Sequence, residues 1–145
     1  MTEGLSSGIP MASKLQNLKR PSNIGTIVFM PVELKLSDNQ DQSKMNPYCK
    51  VKLGSRSGKC QFKDQEIHNN EILEAVAIRR KINGNLAKIK VKDRNKFILN
   101  DRIGEASLNT DDLVIQGRMS VWLKLMKGGK EVGEIFMEMS FIPAK

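Results

Sequence analysis

The chain predicts an all-β fold, a sandwich or a barrel. From Gly25 onward, apolar and polar residues alternate with period two, the pattern of half-buried strands. About eight such runs follow at short intervals, separated by loops carrying "NGN", "KGG" and "NTDD". No long stretch holds a convincing helical periodicity, so strands must build the core.

"GTIVFMPVELKL" (25–36) is the first strand, and Pro31 within it marks a bulge or an exposed edge. "PYCKVKL" (47–53) sets Cys49, Val51 and Leu53 on one face and Tyr48, Lys50 and Lys52 on the other. "GSRSG" turns the chain. "KCQFK" (59–63) returns it, with Cys60 and Phe62 inward and Lys59, Gln61 and Lys63 outward. "LEAVAIRR" (73–80) follows. "NLAKIKVK" (85–92) then opposes Ala87, Ile89 and Val91 to Lys88, Lys90 and Lys92. "IGEASL", "SVWLKL" and "GEIFMEMSFIP" complete the set. Residues 1–23 carry no sustained pattern. Met11, Leu15 and Leu18 lie at helical spacing there, but so short an isolated helix is marginal in water. The expected organisation is a disordered tail, 1–23, before one β domain, 24–145. A chain of 145 residues suffices for one domain with a core.

Composition narrows the function. The apolar fraction (39%) and charged fraction (28%) are those of a soluble globular protein. No run of about 18 apolar residues exists to span a bilayer. "MTEGLSSGIP" lacks the apolar block of a secretory signal and Thr2 excludes the usual myristoylation site, so an intracellular protein is expected. Cys49 and Cys60 read as buried thiols. His68 is the single histidine, which argues against zinc and against a histidine-based triad. With no clustered nucleophile and base and no phosphate-cradling glycine loop, an enzyme is not expected. The net charge of +8 suits phosphate-bearing partners, either nucleic acid or anionic lipid. Lys14, Lys19 and Arg20 against Glu3 leave only +2 of it in the tail.

The segment "VKDRNKFILNDRIGEASL" (91–108) is unusual. Asp93 and Asp101 flank an apolar tip of Phe97, Ile98 and Leu99, with Arg94, Lys96 and Arg102 among them. The carboxylates suggest a metal, the tip a membrane, the cations an anion.

"KMNPYCKVKLG", "NNEILEAVAI", "LAKIKVKDRN" and "DRIGEASL", in this order, resemble a C2 domain, the calcium- and lipid-binding β-sandwich. Asn46-Pro47-Tyr48 fills the family's Asp-Pro-Tyr motif. Asn69 to Ile78 fills the next, with Ile72 where Trp is usual and Glu74 retained. Leu86, Ile89, Val91 and Asp93 fill the third, and Asp101, Ile103, Gly104 and Glu105 the last. The similarity runs roughly from Gly25 to Pro143. It implies an eight-stranded antiparallel Greek-key β-sandwich of two four-stranded sheets. "GEIFMEMSF" at the C-terminus resembles the strand that distinguishes the family's two circular permutations, and implies type II.

The resemblance places vestigial calcium positions at Asp38, Asp41, Asn46, Asp93, Asn95 and Asp101. Calcium needs several hard oxygen ligands and compensating negative charge. Asn46 and Asn95 stand where the family has aspartates, and Arg94, Lys96 and Arg102 oppose a divalent ion nearby. No cofactor is expected, and calcium binding is expected to be absent or very weak. Asp93 and Asp101 then shape their loop by accepting backbone N–H bonds.

The strands equivalent to "PYCKVKL", "KCQFK" and "NLAKIKVK" share one sheet in the family. That would put Lys50, Lys52, Lys59, Lys63, Lys88, Lys90 and Lys92 on one face, with Tyr48 among them. Some members bind phosphoinositide headgroups there through a Tyr-x-Lys-x-Lys signature, matched by Tyr48, Lys50 and Lys52; Gln61 stands where a further basic residue is lost. At the tip, each cation near an anionic leaflet contributes about 1 kcal/mol and each inserted large apolar side chain roughly 1.5–3 kcal/mol. Phe97 with Ile98 and Leu99 would insert, flanked by Arg94, Lys96 and Arg102; the alternative is that Phe97 and Leu99 fold back to cap the core.

The expected function is calcium-independent peripheral binding of anionic phospholipid at the cytoplasmic face of a membrane, with phosphoinositide one candidate ligand. The alternative is a protein-interaction scaffold that has lost calcium binding and takes an acidic partner or a second copy. Nucleic acid is disfavoured, because single-strand binders interleave cations with stacking aromatics and only Tyr48 is so placed.

Overall fold

Apolar residues at every second position assemble into antiparallel strands in the computed structural model of the chain, which describes residues 23–37, 45–62, 74–81, 85–94 and 102–144. In chain order these are β1 (Gly25–Leu36), β2 (Pro47–Leu53), β3 (Arg56–Gln61), β4 (Val76–Arg80), β5 (Leu86–Asp93) and β6 (Arg102–Asn109). A short helix α1 (Asp111–Gln116), β7 (Arg118–Lys127) and β8 (Lys130–Pro143) follow. The hydrogen-bonded order is β3-β2-β5-β6-β7-β8-β1-β4. One residue pair, Glu105–Met126, links β6 to β7, so the order divides there into two four-stranded layers. The C-terminal strand β8 lies between β1 and β7.

The inner faces of both layers make one core. Cys49, Val51, Cys60, Ala87, Ile89 and Val91 line it from one side; Ile27, Phe29, Leu125, Ile135 and Met137 line it from the other, all fully buried. Each of the larger side chains contributes about 1.5–3 kcal/mol on leaving water. Burial also pushes the Cys49 thiol well above its ordinary value, assisted by its hydrogen bond to Cys60, the residue directly opposite across β2–β3.

One local reading changes and another is resolved. The segment read as an "NTDD" loop is the start of α1, which buries Leu113 and Val114; a six-residue helix with two apolar anchors leaves almost no periodic signal. Gly117, at φ 82, ends it and donates its N–H to Leu113 O at 2.7 Å. Pro31 marks a bulge: the β1–β8 register shifts between Pro31 and Glu33, and since the β1–β4 pairing ends at Phe29, β1 pairs there with β8 alone among the described strands. The tail, 1–22, lies outside the described residues.

One end of the sandwich is closed by a buried cation. Arg80, only 4% exposed, donates from Nε to Thr110 Oγ1 (2.9 Å), from Nη1 to Asn23 O (2.6 Å) and from Nη2 to Asp111 Oδ1 (2.6 Å). Thr110 passes its own hydroxyl hydrogen to Asn85 O at 2.6 Å. The guanidinium thereby joins β4, the α1 start and the chain entering β1. Arg80→Met keeps the volume and removes these bonds, so urea unfolding should give a loss of roughly 2–3 kcal/mol, the size of charge-assisted hydrogen bonds lost without replacement. With both thiols buried and Cys49 held protonated, an alkylating reagent at pH 8 should label neither cysteine until denaturant is added; labelling of the native protein would contradict that burial.

Candidate functional site

The outer face of the β3-β2-β5-β6 layer follows from register. Inward positions are taken by the core, so every second residue must face out. Lys52 pairs with Lys88 and, on its other side, with Ser57. Lys50 pairs with Lys59 and with Lys90, which in turn faces Glu105 on β6. Tyr48 pairs with Gln61 and Lys92, and Lys92 with Arg102. The result is a grid three rows deep. Among its described residues, Glu105 is the one carboxylate beside seven cations: Lys50, Lys52, Lys59, Lys88, Lys90, Lys92 and Arg102. Arg102 and Glu105 approach at 4.0 Å, and none of the six lysines forms an ion pair with a described acid.

Tyr48 anchors one corner. Lys59 Nζ lies 5.9 Å and the Arg94 guanidinium carbon 5.3 Å from its ring centroid, both in cation–π range. Arg94, grouped on sequence with the loop cations, thus leans on the grid. Its Nε and Nη2 are buried without a hydrogen-bond partner. Gln61 corrects the sequence reading more sharply. Expected outside, it is 1% exposed, and its Nε2 also lacks a partner. Alternation sets the direction of a side chain and not its exposure; opposite Tyr48, whose ring carries two cations, the amide is covered. No sequence signal distinguished it from Lys59 two residues earlier.

Of the calcium positions, Asn46 and Asp93 are described. Asp93 is 2% exposed, and its Oδ1 accepts the Asn46 N–H at 3.1 Å while Arg94 N–H donates to Asn46 O at 3.0 Å. The carboxylate ties the two loops together, the loop-shaping role expected of it. Among the described residues no three His, Cys, Asp or Glu side chains cluster as metal ligands. Asp38, Asp41, Lys63, Asn95, Lys96, Phe97, Ile98, Leu99 and Asp101 lie outside the described residues.

With this geometry in hand, comparison with known proteins is decisive on family. The C2 domain sequence profile matches residues 28–125. The chain belongs to the C2 domain family. No curated protein matches it in sequence. Among solved structures, this C2 domain is similar to a C2 domain-containing protein from an elicitor-responsive gene, at 20% identity and TM-score 0.69, over 86% of this chain and 93% of that one. It is also similar to a C2 domain of plant Extended Synaptotagmin 1, at 20% identity and TM-score 0.56, over 88% and 99% of the two chains. A tandem pair of C2 domains from Extended-Synaptotagmin 2 aligns at 17% identity and TM-score 0.61, over 99% of this chain and 48% of that one. At such identities the likeness speaks for the fold.

The four like-charged lateral pairs, Lys50–Lys59, Lys50–Lys90, Lys52–Lys88 and Lys92–Arg102, make a direct stability prediction. Lysines directly opposite one another repel, and exchanging one for the opposite charge moves each pair by roughly 0.2–1 kcal/mol. Lys50→Glu should therefore raise the melting temperature by a few degrees at low ionic strength, with the gain shrinking in salt. A lower melting temperature would mean that the lysines do not feel one another.

Proposed function

We propose that this C2 domain is a peripheral membrane module that binds anionic phospholipid through the lysine grid without calcium. C2 domains are in general binding modules for lipid or protein and not enzymes. Among the described residues no helix is long and apolar enough to cross a membrane.

The observation that carries this reading is the asymmetry between the two outer faces. On the β7-β8-β1 side, Glu134 pairs with both Lys124 and Lys35, and Lys124 also reaches Glu131 at 3.9 Å; the like-charged pair of that layer, Lys127–Lys130, is confined to the hairpin turn. On the grid, lysine faces lysine. A merely solvated face would be expected to treat both surfaces alike. Uncompensated cations in fixed register suit an external polyanion, whose phosphate oxygens can accept from the exposed ammonium groups. Each lysine near an anionic leaflet contributes about 1 kcal/mol, so several acting together support reversible docking.

Calcium independence rests on chemistry. One oxygen of Asp93 already serves Asn46, an amide stands at the Asn46 position, and Arg94 follows immediately. A structure of the two C2 domains of Extended-Synaptotagmin 2 is calcium bound; here fixed side-chain charge would do the work of the ion. The apolar tip of Phe97, Ile98 and Leu99 would add insertion to this attraction. The position of β8 between β1 and β7 supports the type II permutation.

A protein-interaction role is the second reading, favoured by one observation. On the opposite outer face, Trp122 and Phe136 pack at 5.1 Å with Lys35 Nζ 4.7 Å from the Trp122 ring, and Trp122 remains 36% exposed.

Co-sedimentation with phosphatidylcholine vesicles, with and without phosphatidylserine, separates the two. Binding should require the anionic lipid, persist in chelator and weaken as salt shortens the Debye length from about 10 Å at 0.1 M. Lys50→Glu and Lys52→Glu should each reduce it, though Lys50→Glu is the more thermostable protein. Binding that appears only with calcium, or not at all, defeats the membrane reading.

A further inference from the structure

On the outer face opposite the lysine grid, β7, β8 and β1 form a groove of about 230 Å³. Val28 and Met30 line it from β1, Glu138 and Ser140 from β8, and Arg118 and Ser120 from β7. Along β8 the apolar surface continues to Ile142, 56% exposed, at one end and to the Trp122–Phe136 pair at the other. We propose that the chain's own N-terminal segment, residues 11–20, docks on this face as a short amphipathic helix.

The segment has the chemistry for it. In "PMASKLQNLKRP" (10–21), Pro10 suits the first turn of a helix and Pro21 stops its continuation. Met11, Leu15 and Leu18 fall on one helical face, flanked by Lys14 and Lys19. A helix so short is marginal in water, so its apolar stripe needs a surface. The groove offers matching charge. Glu134 is shared by Lys35 and Lys124, but neither Glu33 nor Glu138 forms an ion pair with a described cation. The segment brings Lys14, Lys19 and Arg20 and no acid. Arg118 is the one cation in the groove lining, and it stands on the β7 rim.

Position and length agree. Arg80 holds Asn23 O, and Ala144 N–H donates to Ile24 O at 2.8 Å, so the chain is fixed beside the Thr26–Ile142 pair. Pro21 and Ser22 alone separate that anchor from Arg20. Ten helical residues span about 15 Å. From Ser140 to Phe136, β8 advances about 13 Å. Laid back along β8, the helix would set Leu18 over Val28, Leu15 over Met30 and Met11 against Trp122 and Phe136. A second copy's tail carries the same residues, but so short a tether raises the local concentration of the chain's own to the order of mM. The inference stands apart from lipid binding by the grid.

Trp122 is the only tryptophan in the chain, so its fluorescence reports on this face. The test combines acrylamide quenching of Trp122 with hydrogen–deuterium exchange of residues 15–20 in the full chain. Leu15→Asp with Leu18→Asp removes the apolar stripe, and Met30→Glu alters the groove. Native amides of 15–20 should exchange at least about tenfold more slowly than in an unstructured peptide. Both variants should abolish that protection, raise Trp122 quenching and move its emission to the red. Dilution identifies the source, because docking of the chain's own segment does not depend on protein concentration. Protection that fades on dilution belongs to a second copy and overturns the proposal, as does native exchange at the unstructured rate. Native-like Trp122 quenching in the tail variant, whose substitutions lie outside the strands, overturns it too.

Discussion

Everything on the cationic face depends on strand register. Val51, Ile89 and Val91 are fully buried beneath it, and slipping β2 or β5 by one residue would turn them to water and drive lysines into the core. Burying one such side chain is worth about 1.5–3 kcal/mol, and each lateral lysine–lysine contact costs roughly 0.2–1 kcal/mol. The core wins by a wide margin. The lysines are held close because the residues between them have nowhere else to go.

That constraint yields a preorganised surface. Flexible stems let the ammonium groups spread apart, but their Cα positions are set by β2–β3 and β2–β5 pairing and cannot disperse. A polyanion docking as proposed would meet cations already gathered, so little ordering of the backbone would oppose it. At the corner nearest the Asp93 loop, Tyr48 carries Lys59 and Arg94, while Arg94 and Gln61 keep donors without partners.

At the end of the grid, backbone and carboxylate bonds join two neighbouring strands. An oxygen of the Asp93 carboxylate accepts from Asn46 N–H, and Arg94 donates its own N–H to Asn46 O. These bonds stitch the start of β2 to the end of β5. Asp93 thus holds the end of the grid in place.

The amino-acid sequence alone determined which residues face outward. Alternation is local, readable from six or seven neighbours, and it places Tyr48, Lys50, Lys52, Lys88, Lys90 and Lys92 outside because their neighbours are too apolar to be there. It also carried the family motifs and hence the sandwich. What surrounds each outward residue is not local. Gln61 and Lys59 read alike, but one is buried opposite Tyr48 and the other is exposed, a difference that alternation does not carry. Arg94 reads as part of a loop, yet it stacks on a residue 46 positions earlier in the chain because β2 and β5 are neighbours. The Arg80 latch and the α1 turn likewise join segments far apart in the chain. Direction is set by the peptide's own pleat; company is set by which strands fold together, and only the folded chain decides that.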